Sequence, residues 1–101
     1  MDKFAILALL HARPGKELEV EDFLISAQPL AESEPATTTW YAVKLGPASF
    51  GIFDTFKTEE GRTAHVTGPI AKALFARAGE LFDTPPQVEM LEILALKAPA
   101  A

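Results

Sequence analysis

The chain has no cysteine among its 101 residues, and it has only two histidines, one tryptophan and one tyrosine. Without cysteine it can form no disulfide, thiolate nucleophile, iron–sulfur cluster or cysteine-ligated zinc site. Basic residues are few as well: 9 against 14 acidic ones, which gives a formal net charge of −5. This charge argues against binding to nucleic acid, which needs a basic surface, and against docking on an anionic membrane.

Long apolar runs are also missing. The start, MDKFAILALLHARPG, has a short apolar run after a lysine, but the run ends at His11-Ala12-Arg13 without a convincing cleavage site. We therefore interpret it as a strand and not as a signal peptide. No stretch approaches the roughly 20 apolar residues of a membrane span. We expect a soluble, cytoplasmic protein that forms one domain over residues 1–101, with a flexible tail at 98–101.

The apolar periodicity and the turn residues predict an element order of β-α-β-β-α-β. The strands are expected at 3–12, 37–45, 49–56 and 88–97. The first helix is expected from Lys16 to about Ala27, because Pro29 should weaken or stop it near Gln28. A short helix capped by Thr58 should reach His65, and the main helix should start after Gly68-Pro69. This is the α+β, ferredoxin-like βαββαβ order, with an antiparallel sheet in the order 4-1-3-2 and both helices on one face.

The strands predict a second apolar face on this sheet. In the first strand Ala5, Leu7 and Leu9 alternate with an equally apolar set, and the last strand has Leu91 and Ile93 on its second face. Two helices can cover only one face, so the other would leave an exposed patch of several hundred Å². The simplest cover is the same face of a second copy. We therefore predict a homodimer in which two sheets pack face to face.

The element order, the expected dimer and the stretch GIFDTFKTEEGRTAH resemble the antibiotic biosynthesis monooxygenase (ABM) domain family of dimeric α/β-barrel proteins. The shared features are a strand that ends in an aromatic residue, Phe56, an acidic helix start at Glu59-Glu60, and Ala64-His65. Where many members have tryptophan, this chain has Phe56, and its own tryptophan is Trp40 in the second strand. No Asn–Trp–His set of the haem-degrading relatives can be assembled.

The resemblance implies a cofactor-independent monooxygenase. Family members of this kind act on quinols or polyketide-derived phenols, whereas other members have no established activity. The expected substrate is a small aromatic or quinol-like molecule bound between sheet and helices, with no cofactor. The alternative is a non-catalytic homodimeric domain that binds a small hydrophobic ligand or has a purely structural role.

His65 and Asp54 are the candidate catalytic residues. A histidine has a pKa near neutrality, so His65 could accept a phenolic proton and leave an electron-rich anion that reacts with O₂. Equally, His65 could only pack at, or cap, the C-terminus of a helix. Asp54 lies in an otherwise apolar strand, where a buried carboxylate would have a raised pKa and could orient the substrate. Asp54 could also simply be hydrogen-bonded near the strand end.

Four other residues are candidates for substrate binding: Trp40, Phe56, Arg62 and Phe75. Trp40 and Tyr41 should lie on opposite faces of the second strand, one toward the helices and the other toward the partner. Arg62 could share a helical face with His65 and hold a phenolic ligand, although a solvated arginine is the alternative. Core packing is the alternative for the aromatic residues. No metal is expected, because His11, His65 and Asp54 have no recognised ligand spacing.

Overall fold

The computed structural model describes residues 1–99 and has an α+β fold with four strands and three helices. The strands are β1 (Phe4–His11), β2 (Thr37–Lys44), β3 (Ser49–Phe56) and β4 (Gln87–Glu92), and the helices are α1 (Glu17–Glu32), α2 (Glu59–Val66) and α3 (Pro69–Leu81). The sheet order is β2-β3-β1-β4, which is the predicted 4-1-3-2 order taken from the other edge. All three pairings are antiparallel, so the ferredoxin-like prediction is confirmed.

The strand register decides which side chains share the face under the helices. Asp54 of β3 is paired with Ile6 of β1 on one side and with Trp40 of β2 on the other. Ile6 is in turn paired with Met90 of β4. Directly opposed residues point to the same face of a sheet, so these four side chains form one row beneath the helices.

The hydrophobic core fills the space between this face and the helices. Its largest buried side chains include Phe50 of β3, Val20 and Leu24 of α1, and Leu81 of α3. Each large apolar side chain that is fully buried contributes about 1.5–3 kcal/mol to folding. This packing holds α1 and α3 against the sheet, and α2, which carries His65, contacts α3 and strands β1, β2 and β3.

Two predicted boundaries are wrong. α1 continues through Pro29 to Glu32 and does not end near Gln28, because Ala27 and Ala31 are buried on its inner side. Proline removes one helical N–H, but the carbonyl that loses its donor belongs to the exposed Ile25 and can bind water.

The last strand, β4, ends at Glu92 and not at the predicted residue 97. Beyond the end of β4, the Ile93 N–H still donates to the carbonyl of Lys3, the residue before β1.

The break between α2 and α3 agrees with the sequence prediction. Thr58 caps α2 by accepting a hydrogen bond from the Gly61 N–H, and Pro69 is the first residue of α3. A side chain on Gly68 would come within 3.1 Å of the Ala64 carbonyl oxygen, so glycine suits this tight corner. The corner leaves His65 in the last turn of α2, facing the sheet.

The second sheet face has a set of apolar side chains that no helix of residues 1–99 covers. Its side chains alternate with the core set, and they include Leu7, Leu9, Phe53, Val43 and Tyr41, which is 57% exposed. In residues 1–99 no helix is long and apolar enough to cross a membrane. The cytoplasmic location stays a prediction. The flexible tail at 98–101 also stays a prediction, and its last two residues lie outside the described part of the chain.

Candidate active site

A cavity of about 190 Å³ lies between the sheet and helices α2 and α3. Ten of its lining residues are apolar, and the two others are Asp54 and His65; the apolar ones are Ile6, Ala8, Ile52, Val66, Ile70, Ala71, Leu74, Phe75, Val88 and Met90. Phe75 of α3 and Met90 of β4 are each 53% exposed, so they mark the open side of the cavity. The ionisable pair and the apolar walls together form a site where a small aromatic molecule fits.

His65 links two carboxylates that are far apart in the sequence. Its Nε2 lies 2.9 Å from Asp54 Oδ2, and its Nδ1 lies 2.6 Å from Glu34 Oε1. Asp54 is 1% exposed and His65 is 8% exposed. Glu34, His65 and Asp54 together form a carboxylate–histidine triad.

Glu34 and His65 are each held in place by neighbouring groups. Glu34 lies between α1 and β2, where its backbone N–H donates to the Ala31 carbonyl and its carbonyl accepts from the Thr37 N–H. The Thr37 hydroxyl also donates to Glu34 Oε1 at 2.8 Å. On the other side, the Phe56 ring packs against the imidazole with centroids 5.4 Å apart. The imidazole therefore has little freedom to rotate.

The two contacts of His65 determine the charge of the triad. Each nitrogen–oxygen contact needs one bridging proton, so the two contacts hold two protons. The triad then has a net charge of −1, whether the imidazole holds both protons or one of them lies on a carboxylate. A buried negative charge of this kind is costly unless a further proton or donor neutralises it.

The pKa values of Asp54 and His65, the two most buried members of the triad, are both raised. Burial raises the pKa of Asp54 above its ordinary 3.8, and the hydrogen bond from His65 offsets only part of this effect. Burial alone would lower the pKa of His65, but the hydrogen bonds and charges of Asp54 and Glu34 outweigh it, so the pKa rises above 6.5. Asp54 and His65 therefore retain protons at a pH where the same side chains in isolation would release them.

Two oxygens of the triad have no hydrogen-bond partner within residues 1–99. They are Asp54 Oδ1 and Glu34 Oε2, and both are buried. Trp40, the cross-strand neighbour of Asp54, also has a buried Nε1 without an acceptor. Asp54 lines the cavity, and its Oδ1 is the one carboxylate oxygen of a described lining residue that has no hydrogen-bond partner within residues 1–99. Within residues 1–99, no three histidine or acidic side chains are arranged to hold a metal ion.

Comparison with solved structures identifies a close relative. NE2512, a protein of unknown function from Nitrosomonas europaea, is 50% identical to this chain, with a TM-score of 0.97 over 100% of this chain and 98% of that one. The chain belongs to the family of NE2512. No family model matches the sequence, and no curated protein matches it significantly.

Other solved structures share the fold at low identity. Rv0793 from Mycobacterium tuberculosis is 18% identical, with a TM-score of 0.84 over 95% of this chain and 99% of that one. A protein from Caulobacter crescentus, named as a candidate antibiotic biosynthesis monooxygenase, is also 18% identical, with a TM-score of 0.77 over 93% and 92% of the two chains. The NE2512 family thus has the ABM-like fold that the sequence predicts.

Three of the residues predicted for the site lie at the cavity, and three lie elsewhere. His65, Asp54 and Phe75 line it. Phe56 is fully buried behind the imidazole. Trp40 shares the sheet face of Asp54 but lines a separate polar groove between α1 and β2.

Arg62 points away from His65. Its guanidinium donates to the Leu91 carbonyl at 2.9 Å and lies over the Phe4 ring. Arg62 therefore holds α2 against the sheet edge and does not line the cavity. Among the described lining residues, His65 is the one basic side chain. The second histidine, His11, pairs with Asp83 at the surface.

Glu34 is the residue that sequence reasoning missed. It lies in the stretch LAESE between Pro29 and Pro35, where acidic residues are typical of a solvated loop. Nothing in that stretch distinguishes Glu34 from the exposed Glu32. Only the path of the chain after α1 brings Glu34 to the imidazole, 31 residues away in sequence.

Proposed function

We propose that this protein is a cofactor-independent monooxygenase that oxidises a small hydroxylated aromatic substrate. The observation that carries the proposal is an apolar cavity with one unpartnered carboxylate oxygen, Asp54 Oδ1, backed by a buried imidazole. Phenol oxidation needs a base in an apolar site, because the ring becomes reactive toward O₂ when its hydroxyl proton is removed. The fold shared with a candidate antibiotic biosynthesis monooxygenase supports the same reaction class.

The reaction balances without a cofactor. The substrate hydroxyl gives its proton to Asp54 Oδ1, so the triad changes from −1 to neutral while the ring becomes an anion. A ring carbon para to the oxygen forms a bond with O₂, and the proton returns from Asp54 to give a hydroperoxide. The O–O bond then breaks and water leaves with the hydrogen of that carbon. Phenol and O₂ thus give a quinone and water, and the four electrons that the ring loses reduce O₂.

His65 acts in this proposal through Asp54. Because both imidazole nitrogens already contact carboxylates, neither has a free lone pair for the substrate proton. His65 instead holds Asp54 Oδ2, which leaves Oδ1 as the proton acceptor. The raised pKa of Asp54 suits this task, since a base works best when its pKa approaches the working pH.

Oxygen consumption tests the proposal. The wild type is assayed with a panel of phenols that carry hydrogen at the para position, and product is identified as quinone. Asp54→Asn keeps the side-chain size but removes the base, and we expect turnover to fall by about 10²–10⁴-fold, the usual contribution of a general base. Asp22→Asn, the same change on the exposed side of α1, is the control and should leave turnover unchanged. Turnover that survives Asp54→Asn contradicts the proposed mechanism.

The alternative function is a non-catalytic domain that binds a small aromatic ligand. The observation that favours it is the engagement of both His65 nitrogens, which leaves the histidine unavailable for direct chemistry. A ligand that binds only the folded state raises the melting temperature. If phenols raise the melting temperature and no member of the panel consumes O₂, the binding function replaces the enzymatic one.

We also propose that two copies pack their uncovered sheet faces together. The support is the apolar face that contains Leu9, Phe53 and the 57% exposed Tyr41, because a monomer would leave it in water. Light scattering after size-exclusion chromatography should give twice the mass of one chain. Leu9→Lys should shift the protein toward monomer, whereas Ile25→Lys, on the outer side of α1, should not. A monomer at micromolar concentration would contradict the dimer.

A further inference from the structure

The size of the cavity limits the ring system that fits beside Asp54. An apolar cavity of about 150 Å³ is enough to bind benzene. The present cavity, of about 190 Å³, therefore holds one aromatic ring with a small substituent. Any further ring would extend past Phe75 and Met90 into solvent, because these side chains form the open edge.

The charge of the cavity limits the chemistry of the ligand. The triad has a net charge of −1 with His65 included, and the other described lining residues of the cavity have no cation that would compensate an anionic ligand. The helices beside the cavity also have basic side chains, but these do not reach it. Arg62 of α2 is engaged with Leu91 and Phe4, and Lys72 of α3 is exposed. The acidic residues of α2 and β4, Glu59, Glu60, Glu89 and Glu92, are exposed and add negative charge. A ligand that enters this cavity is therefore favoured if it brings a hydrogen-bond donor and no negative charge.

We propose that the cavity selects neutral, single-ring aromatic molecules that carry a hydroxyl group and rejects aromatic carboxylates. The hydroxyl donates to Asp54 Oδ1, which otherwise stays buried without a partner. The ring fits among Ile6, Leu74 and Val88, and its para position points to the open edge. A carboxylate in the same place would face the charge of the triad at close range. This inference rests on the proposed function of the same site and names its substrate class.

Binding measured without O₂ tests the substrate class separately from catalysis. Dissociation constants of 4-methylphenol, 4-methylbenzoate and toluene are measured by NMR titration under argon at pH 7. We expect 4-methylphenol to bind about 100-fold more tightly than 4-methylbenzoate, because like charges brought together cost several kcal/mol. Toluene should bind more weakly than 4-methylphenol, because it leaves the buried oxygen unpaired. 4-Methylphenol has no para hydrogen and serves here only as a binding probe. Selective binding of 4-methylphenol, with no O₂ consumption by any phenol of the para-hydrogen panel, would contradict the proposed enzyme and leave this inference standing.

Three variants locate the selectivity. Asp54→Asn removes the charge, so the ratio between the two ligands should fall below about 10-fold, whereas Asp22→Asn should keep it. Ala71→Phe places a ring inside the cavity and should abolish binding of all three ligands while the protein stays folded by circular dichroism. The inference is overturned if 4-methylbenzoate binds the wild type within tenfold of 4-methylphenol. It is also overturned if 4-methylphenol does not bind at millimolar concentration, or if Ala71→Phe binds as well as the wild type.

Discussion

Replacing His65 with leucine should destabilise the protein strongly at neutral pH. Leucine has a similar volume but no N–H, so Asp54 Oδ2 and Glu34 Oε1 both lose the donor that they share. Removing one partner of a buried ion pair costs about 3–5 kcal/mol, because the remaining charge is left uncompensated. A domain of this size has a total stability of about 5–15 kcal/mol. The free energy of unfolding should therefore fall by a large fraction.

The chain contains a matched control for this change. His11 Nδ1 lies 2.6 Å from Asp83 Oδ2, the same distance that separates His65 from Glu34, but the His11 side chain is 50% exposed. Water screens such a surface pair, and its loss costs about 0–1 kcal/mol. His11→Leu should therefore change the free energy of unfolding far less than His65→Leu does.

Urea unfolding at pH 7 and pH 5 measures both variants. At pH 5 the two carboxylates left behind by His65→Leu can bind protons more readily, so the loss of stability should be smaller than at pH 7. His11→Leu should show little change between the two conditions. The reasoning fails if His65→Leu loses no more stability than His11→Leu, since burial would then not decide the strength of these contacts.

Two further predictions concern the protons of the triad. The raised pKa values of His65 and Asp54 mean that the folded state keeps protons that the unfolded state releases. Stability should therefore begin to fall as the pH rises above 3.8, because the pKa of Asp54 is higher in the folded state, and it should fall further from pH 6.5 through the folded-state pKa of His65. Urea unfolding from pH 4 to pH 9 measures this slope. A stability that rises with pH over this range would contradict the assignment. Glu34→Gln keeps an acceptor for the imidazole but removes one negative charge, so the NMR-measured pKa of His65 should be lower than in the wild type. An unchanged pKa would show that Glu34 contributes no electrostatic stabilisation.

Local sequence signals predict most of the fold. The run SFGIFDTF forms β3 with its predicted boundaries, because its apolar and β-branched residues are bounded by a Gly-Pro turn and by the Thr58 cap. The predicted ends of α1 and β4 are wrong for tertiary reasons. Burial of Ala27 and Ala31 carries α1 past its proline, and β4 ends where β1 has no more residues to pair with it.

The site is less accessible to sequence reasoning than the fold. His65 and Asp54 stand out because histidine is rare in this chain and a carboxylate is unusual among apolar strand residues. Their contact, however, depends on the register of β3 and on the corner at Gly68, which together bring two elements to one point. Glu34 gives no local signal, and Arg62 shares a helix with His65 but reaches the opposite side of β1. Contacts between distant segments follow from packing, which single residues do not encode.

A triple replacement distinguishes a triad kept for chemistry from one kept for structure. Buried ionic groups can often be replaced by apolar residues of similar volume with no loss, or with a gain of about 1–4 kcal/mol, because the desolvation penalty disappears. Adding Asp54→Leu and Glu34→Met to His65→Leu removes every charge of the triad, so the variant should recover the stability that His65→Leu alone loses. It should at the same time lose the preference for 4-methylphenol over 4-methylbenzoate. If instead the triple variant is less stable than His65→Leu, the polar contacts themselves hold Glu34, α2 and β3 together, and the chain would need the triad even without a substrate.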